Sequence, residues 1–156
     1  MGDSKLVHSD PVLLALVNSA DKVHLLDYLS CKLIVNLSYL PFITSDNPVV
    51  KYNQFLEAKE AYVGATGIAV KGIQIFLPIH PRMMICLYDP AIYTCGEDHK
   101  VTVITESIDE VHQLNSLQYL NSHSQLFFND FISKEYIEAV VEQHSRLNTN
   151  QVPSAY

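Results

Sequence analysis

The chain has 156 residues, 48% of them hydrophobic and only 17% charged, with a formal net charge of −7 at neutral pH. That length suits one domain with its own core, burying about two-thirds of its unfolded surface, and the apolar content is too high for a disordered chain. The acidic balance, with no cluster of lysine or arginine along the chain, disfavours duplex nucleic acid, which needs a basic face to neutralise phosphates.

The first helix is expected to open at Asp10-Pro11, an N-cap acid followed by the residue best tolerated at N1, and to carry Leu13, Leu14, Leu16 and Val17. The run 12–17 imitates a signal peptide, but the stretch before it contains Asp3 and Asp10 and is not positively charged. A second helical stretch is read through Val23 to Tyr28, then strands at 32–37, 42–44 and 49–52. Residues 53–67 read as a loop or lid. Gly72 then opens a strand over 73–77 that Pro78 stops, and Met83 to Tyr88 forms another after the loop 79–82. Residues 101–104 read as the last strand. Ser107-Ile108-Asp109-Glu110 has the form of a capping box and predicts a helix from Ile108 to about Asn121, while Ser133 is read as the cap of a final helix with Tyr136, Ile137, Val140 and Val141. The pattern predicts an α+β domain over 1–147, its sheet mainly antiparallel with helices at the N- and C-terminal ends, and a flexible tail over 148–156.

Cys31, Cys86 and Cys95 are odd in number and never in a C-x-x-C pair, so they read as reduced thiols and point to a cytoplasmic protein. No apolar run reaches the roughly 18 residues of a membrane span.

The densest polar signal is the corner within 42–51, where β-formers run into Ser45-Asp46-Asn47-Pro48 and resume at Val49. Asn47 can accept from the amide of Val49 in an Asx turn, whereas Asp46 cannot do the same two residues on because Pro48 has no N–H, which leaves its carboxylate for water, a cation or a ligand. In Pro78-Ile79-His80-Pro81-Arg82 two prolines stiffen the loop that carries His80 and Arg82, and the Arg82 guanidinium could fork onto Asp46 or onto an anionic ligand. Asn115 falls inside the apolar arc of the 108–121 helix, between Val111, Ile108 and Tyr119, where a buried amide must find partners; tying the helix to a loop backbone ranks above ligand binding. Ser45-Asp46-Asn47 echoes the S-D-N element of penicillin-recognising enzymes, but no S-x-x-K precedes it and no K-T-G follows. P-loop, G-x-G-x-x-G, G-x-S-x-G and H-E-x-x-H motifs are absent.

The segments 42–49, 76–84 and 111–115, taken in order, resemble the successive landmarks of the bacterial domain-of-unknown-function family numbered 4238. Asp46, Asn47, Pro48, Pro78, Pro81, Arg82 and Asn115 match the family pattern, which tends to carry a small hydroxyl residue where His80 stands. The resemblance implies no agreed activity. Its members usually have an N-terminal helical portion with a His-x-x-Pro signature that does not precede Phe42 here, so the chain is expected to be a truncated member or C-terminal fragment.

The leading expectation is a soluble domain with a polar pocket of Asp46, Asn47, Arg82 and Asn115 that recognises a ligand, or contacts the missing N-terminal portion, without a cofactor. The alternative is a metal-dependent nuclease or phosphodiesterase in which Asp46 and His80 hold Mg or Mn, with Glu57, Glu60 or Glu106 folding in. A third is a structural domain braced by an Asp46–Arg82 ion pair. The low charge content predicts a partly covered surface, most simply a two-fold homo-oligomer.

Overall fold

Alternation of apolar residues along the strands builds the centre of the molecule. The computed structural model describes residues 23–57 and 67–149. After a 3₁₀ turn at Val23–Leu26 come β1 (Ser30–Asn36), β2 (Thr44–Ser45), β3 (Val50–Tyr52), a single helical turn α1 (Gln54–Glu57), β4 (Gln74–His80), β5 (Met83–Tyr88), β6 (Thr102–Thr105), α2 (Ile108–Asn121), β7 (Leu126–Phe127) and α3 (Lys134–Thr149). Five strands form one sheet in the order β3-β4-β5-β1-β6, and β2 pairs with β7 in a separate two-stranded sheet. All pairings are antiparallel except β1 with β6, which is parallel. The domain is α+β, with a mixed, mainly antiparallel sheet.

The register places Ile34, Met84, Cys86, Tyr88, Phe76 and Val50 on one face of the large sheet. That face meets Val111, Leu114 and Leu117 of α2, and Leu40, Phe42 and Tyr136 close the same core. The opposite face carries Leu33, Val35, Ile85, Leu87, Ile75 and Leu77, so both faces of the central strands are apolar, as expected of a sheet interior.

Helix α2 spans the expected residues. Ser107 Oγ accepts from the Glu110 amide at 3.2 Å, but Glu110 does not return to Ser107. Its carboxylate instead accepts from Thr105 Oγ1 at 2.5 Å, and Thr105 Oγ1 accepts from the Ser107 amide at 3.3 Å, so the box closes through a threonine at the end of β6. Ser133 caps α3, accepting from the Tyr136 amide at 3.2 Å.

Other expectations are corrected. Pro78 does not stop β4, which continues to His80 with a register irregularity between Pro78 and His80. β3 pairs only with Gln74 to Phe76, so beyond that point β4 is an edge on one side, where a residue without N–H is tolerated. The expected 79–82 loop is thereby cut to a tight turn at Pro81 and Arg82. Phe42 and Ile43 are not in a strand, and the last strand is β7 rather than β6. The 23–28 stretch forms only the 3₁₀ turn, and α3 includes Asn148 and Thr149, which were expected in the tail. The helix expected at Asp10 to Val17, most of the 53–67 loop and residues 150–156 lie outside the described residues.

Candidate functional site

The polar corner at 45–49 is bound to the end of α2, 71 or more residues further along the chain. Asp46 N–H donates to the Gln125 carbonyl at 3.1 Å, and the Asp46 carboxylate accepts from the His123 amide, the Ser124 amide and Ser124 Oγ, each at 2.9 Å. Both oxygens of the exposed Asp46 carboxylate are thus engaged by the chain leaving α2. Asn47 does not form the expected Asx turn; its side chain donates to the Asn121 carbonyl at 3.0 Å, while its own carbonyl accepts from Asn121 Nδ2 at 2.7 Å and Gln118 Nε2 at 3.3 Å. Gln118 also donates to Ser45 Oγ at 2.6 Å. The carboxylate works as a cap on the chain leaving α2.

The His123 amide above all, helped by the Ser124 hydroxyl and amide, holds the Asp46 carboxyl below its ordinary value. A lowered folded value means that the contribution to stability is complete above the unfolded value of about 3.9 and is lost as pH falls through the folded one. Asp46→Asn should accordingly lower the melting temperature at neutral pH, with the gap to wild type closing in acid well below about pH 4. A gap of equal size at both pH values would show that the carboxylate charge contributes nothing.

The Asp46–Arg82 brace is not formed. Arg82 Nη1 donates instead to the Ser38 carbonyl, the Arg82 amide donates to His80 Nδ1 at 3.1 Å, and the Arg82 carbonyl accepts from the Asn36 amide at 2.9 Å. Beside it, Asn36 Nδ2 donates to the Leu40 carbonyl at 2.7 Å while Asn36 Oδ1 accepts from the Ser38 amide at 2.9 Å and from Ser38 Oγ at 2.7 Å. Arg82 and Asn36 together fix the turn at 36–40, whose tip presents Tyr39. Asp46 and His80, the expected metal ligands, each spend a ligand atom on backbone amides, and among the described residues no three His, Cys, Asp or Glu side chains are grouped to hold a metal ion.

Asn115 is fully buried and ties the helix to a loop, as ranked first from sequence. Its Oδ1 accepts from the Ile43 amide at 3.0 Å and its Nδ2 donates to the Pro41 carbonyl at 3.0 Å, the two bonds that a parallel strand would offer residues 41 and 43. One carboxamide thus replaces a strand, which is why Phe42 and Ile43 need none.

Asn115 Nδ2 has a second acceptor, Tyr136 Oη, at 3.2 Å. Tyr136 Oη lies 3.1 Å from His112 Nδ1, and His112 Nε2 lies 3.3 Å from Gln143 Oε1. An amide oxygen only accepts, so Nε2 carries a hydrogen towards Gln143, while Nδ1 meets the Tyr136 hydroxyl that already accepts from Asn115. The His112 and Tyr136 rings meet edge to face, with centroids 5.8 Å apart. Burial pushes the Tyr136 phenol up, against the lowering effect of the Asn115 bond, so it stays protonated and fixed.

This relay floors a cleft of about 340 Å³ between residues 39–41, the start of α2 at Ile108, Asp109 and His112, and Phe131 to Tyr136. Tyr39, 75% exposed, and Phe131, 83% exposed, stand at its walls; of the large apolar side chains recorded as exposed they are the two most exposed. Asp109 is the one carboxylate among the lining residues, which include no lysine or arginine. Of the four residues expected to bind ligand, Asn115 positions the floor and Arg82 the Tyr39 wall, while Asp46 and Asn47 serve the far end of α2. Tyr39, Asp109, Phe131 and Tyr136 were not singled out from the sequence, and no spacing links 39, 112 and 136.

The fold and cleft define an α+β domain held together by buried side-chain amides, with an aromatic, acid-bearing cleft beside its two long helices. The chain belongs to the DUF4238 family, described as a protein of unknown function, whose model matches residues 16–131. No curated protein and no solved structure matches it. Among the described residues no helix is long and apolar enough to cross a membrane.

Proposed function

We propose that the domain is a recognition module that binds an organic cation, a substituted ammonium or guanidinium group, in the cleft between Tyr39, Asp109 and Phe131. The observation that carries this reading is that the two most exposed of the recorded apolar side chains, both aromatic, line one cleft together with a carboxylate and with no lysine or arginine. Ring faces attract cations and lose little entropy when a ligand fixes them, and a carboxylate supplies the counter-charge. Tyr136, kept protonated by burial and hydrogen-bonded to Asn115, gives the cleft a polar lining, and no lysine or arginine lines it.

Calorimetric titration with choline and with its uncharged tert-butyl isostere tests the reading. The cation should bind measurably and the isostere markedly more weakly. Tyr39→Ala and Phe131→Ala should each weaken the cation by between about twofold and thirtyfold, the roughly 0.5–2 kcal/mol of a cation–π contact. Asp109→Asn should weaken the cation and leave the isostere unchanged. Equal binding of the two probes, or full affinity in both aromatic variants, would remove the cleft from consideration.

A further inference from the structure

Helix α2 borders two clefts. The one at Tyr39 meets its Ile108, Asp109 and His112, whereas Glu110, Gln113, Leu114 and Leu117, spaced i, i+3, i+4 and i+7 along the same helix, form a stripe that lines a second cleft of about 650 Å³. The opposite wall comes from the sheet. Tyr52 on β3 stands in register with Gln74 on β4, two residues before Phe76 and so on the same face of that strand, and Gln54 follows at the start of α1.

The floor is apolar, since Phe76 is buried in the core and the half-buried Leu114 and Leu117 pack against that core. Above it the lining is polar and almost uncharged. Three glutamine carboxamides, at 54, 74 and 113, each offer a donor and an acceptor. No lysine or arginine lines the cleft, and its one carboxylate, Glu110, accepts from Thr105 Oγ1. One of the three carboxamides is incompletely satisfied: Gln74 Oε1 is buried without a hydrogen-bond partner, although the residue as a whole is only half-buried and its amide can turn toward the cleft. Leaving a buried acceptor unmet costs stability, and a donor delivered by a ligand would recover it.

We propose that this cleft is a binding site for an uncharged nucleobase that carries an amine beside a ring-nitrogen acceptor, as adenine does. The amine donates to Gln74 Oε1 and the ring nitrogen accepts from Gln74 Nε2, the two-bond pairing that a glutamine makes with an adenine edge. The flat ring rests on the leucines of α2, and the exposed Gln54 and Gln113 are left to meet its other edge. A phosphate would find no cation here and would meet the Glu110 carboxylate, so the ligand is the base or its nucleoside rather than a nucleotide.

The test is calorimetric titration of the full chain with adenosine, with adenine, and with purine riboside, which is adenosine without its exocyclic amine. Adenosine should bind, and purine riboside should bind more weakly by between about fivefold and 150-fold, the range of one two-bond base contact. The tighter of adenine and adenosine identifies the free base or the nucleoside as the source. Gln74→Leu removes the unmet oxygen, so it should fold at least as stably as wild type and should erase the difference between the two ribosides. Tyr39→Ala, in the other cleft, should leave that difference intact, so a failure of choline to bind there has no bearing on this site. If the leucine variant does not fold, Gln113→Ala, at an exposed position of the same cleft, should weaken adenosine in its place, and full affinity in that variant would overturn the proposal. So would no binding of adenine or adenosine at millimolar concentration, equal binding of the two ribosides, a difference that survives in Gln74→Leu, or tighter binding of adenosine monophosphate than of adenosine.

Discussion

Replacing Asn115 by leucine should destabilise the domain by about 4 kcal/mol, because two buried backbone groups lose their partners at roughly 1–3 kcal/mol each. The side chains are similar in volume, so little of the loss comes from a cavity. The orphaned groups are the Ile43 amide and the Pro41 carbonyl, in a segment where Pro41, Phe42 and Ile43 are all buried and water cannot substitute. Asn115→Asp keeps the acceptor for Ile43 but loses the donor to Pro41, and adds an acid at a fully buried site, so it should be no better tolerated. Against a total stability of about 5–15 kcal/mol this is a large fraction, measurable by urea denaturation. A loss below about 1 kcal/mol in the leucine variant would mean that the 41–43 segment finds other partners and that the amide is not what fixes it.

Gly72→Ala should cost about 3 kcal/mol, the upper end of the roughly 1–3 kcal/mol for a non-glycine residue held in an unfavourable region. Gly72 has φ +80°, and a Cβ there would lie 2.9 Å from Phe55 Cβ and 3.1 Å from Asn53 Oδ1. Neither neighbour can give way cheaply. Asn53 is fully buried, donating to the Lys71 carbonyl and accepting from the Leu56 amide, both at 3.0 Å. Gly72 itself donates to Asp89 Oδ2 at 2.9 Å and accepts from Tyr93 Oη at 3.0 Å. Gly96→Ala is the natural comparison, with φ +63° and a contact of 2.8 Å to a methyl of Val103, a half-buried side chain on an edge strand that can turn aside. A Gly72 variant as stable as the Gly96 variant would show that the corner at 53–55 yields more readily than its bonds suggest.

The readable parts of the chain were those where structure is local. A cap three residues ahead of its acid located α2, and strand alternation located β1, β4 and β5 to within a few residues. Pro78 misled because a proline's effect depends on whether the neighbouring strand reaches it, and β3 stops short. The site was less legible for the same reason. Excluding a turn bond to Val49 left the Asp46 carboxylate for water, a cation or a ligand, and nothing in residues 42–51 indicates that the backbone at 123 and 124 binds it. Asn115 was recognisable as a buried amide from its place on the helical wheel, whereas His112 and Tyr136 meet only because two helices cross. Arg82 could pair with any acid in the sequence and in the fold meets a carbonyl.

The strand order has a consequence for when the molecule can take shape. Among the described residues β1 precedes every other strand, yet it sits between β5 and β6 in the large sheet. A ribosome therefore releases one inner strand of the sheet first and both of its neighbours later. The β4–β5 hairpin can close on its own through a tight turn, but the groups at 41–47 wait for partners at 115–124, between 72 and 78 residues downstream. Closing loops of that length precedes any reward from the contacts they bring, so the amide side chains of α2 join a segment that has waited for them while the intervening residues were made. The corner that looks most like a site in the sequence is then the seam where an earlier and a later stretch of the nascent chain are joined.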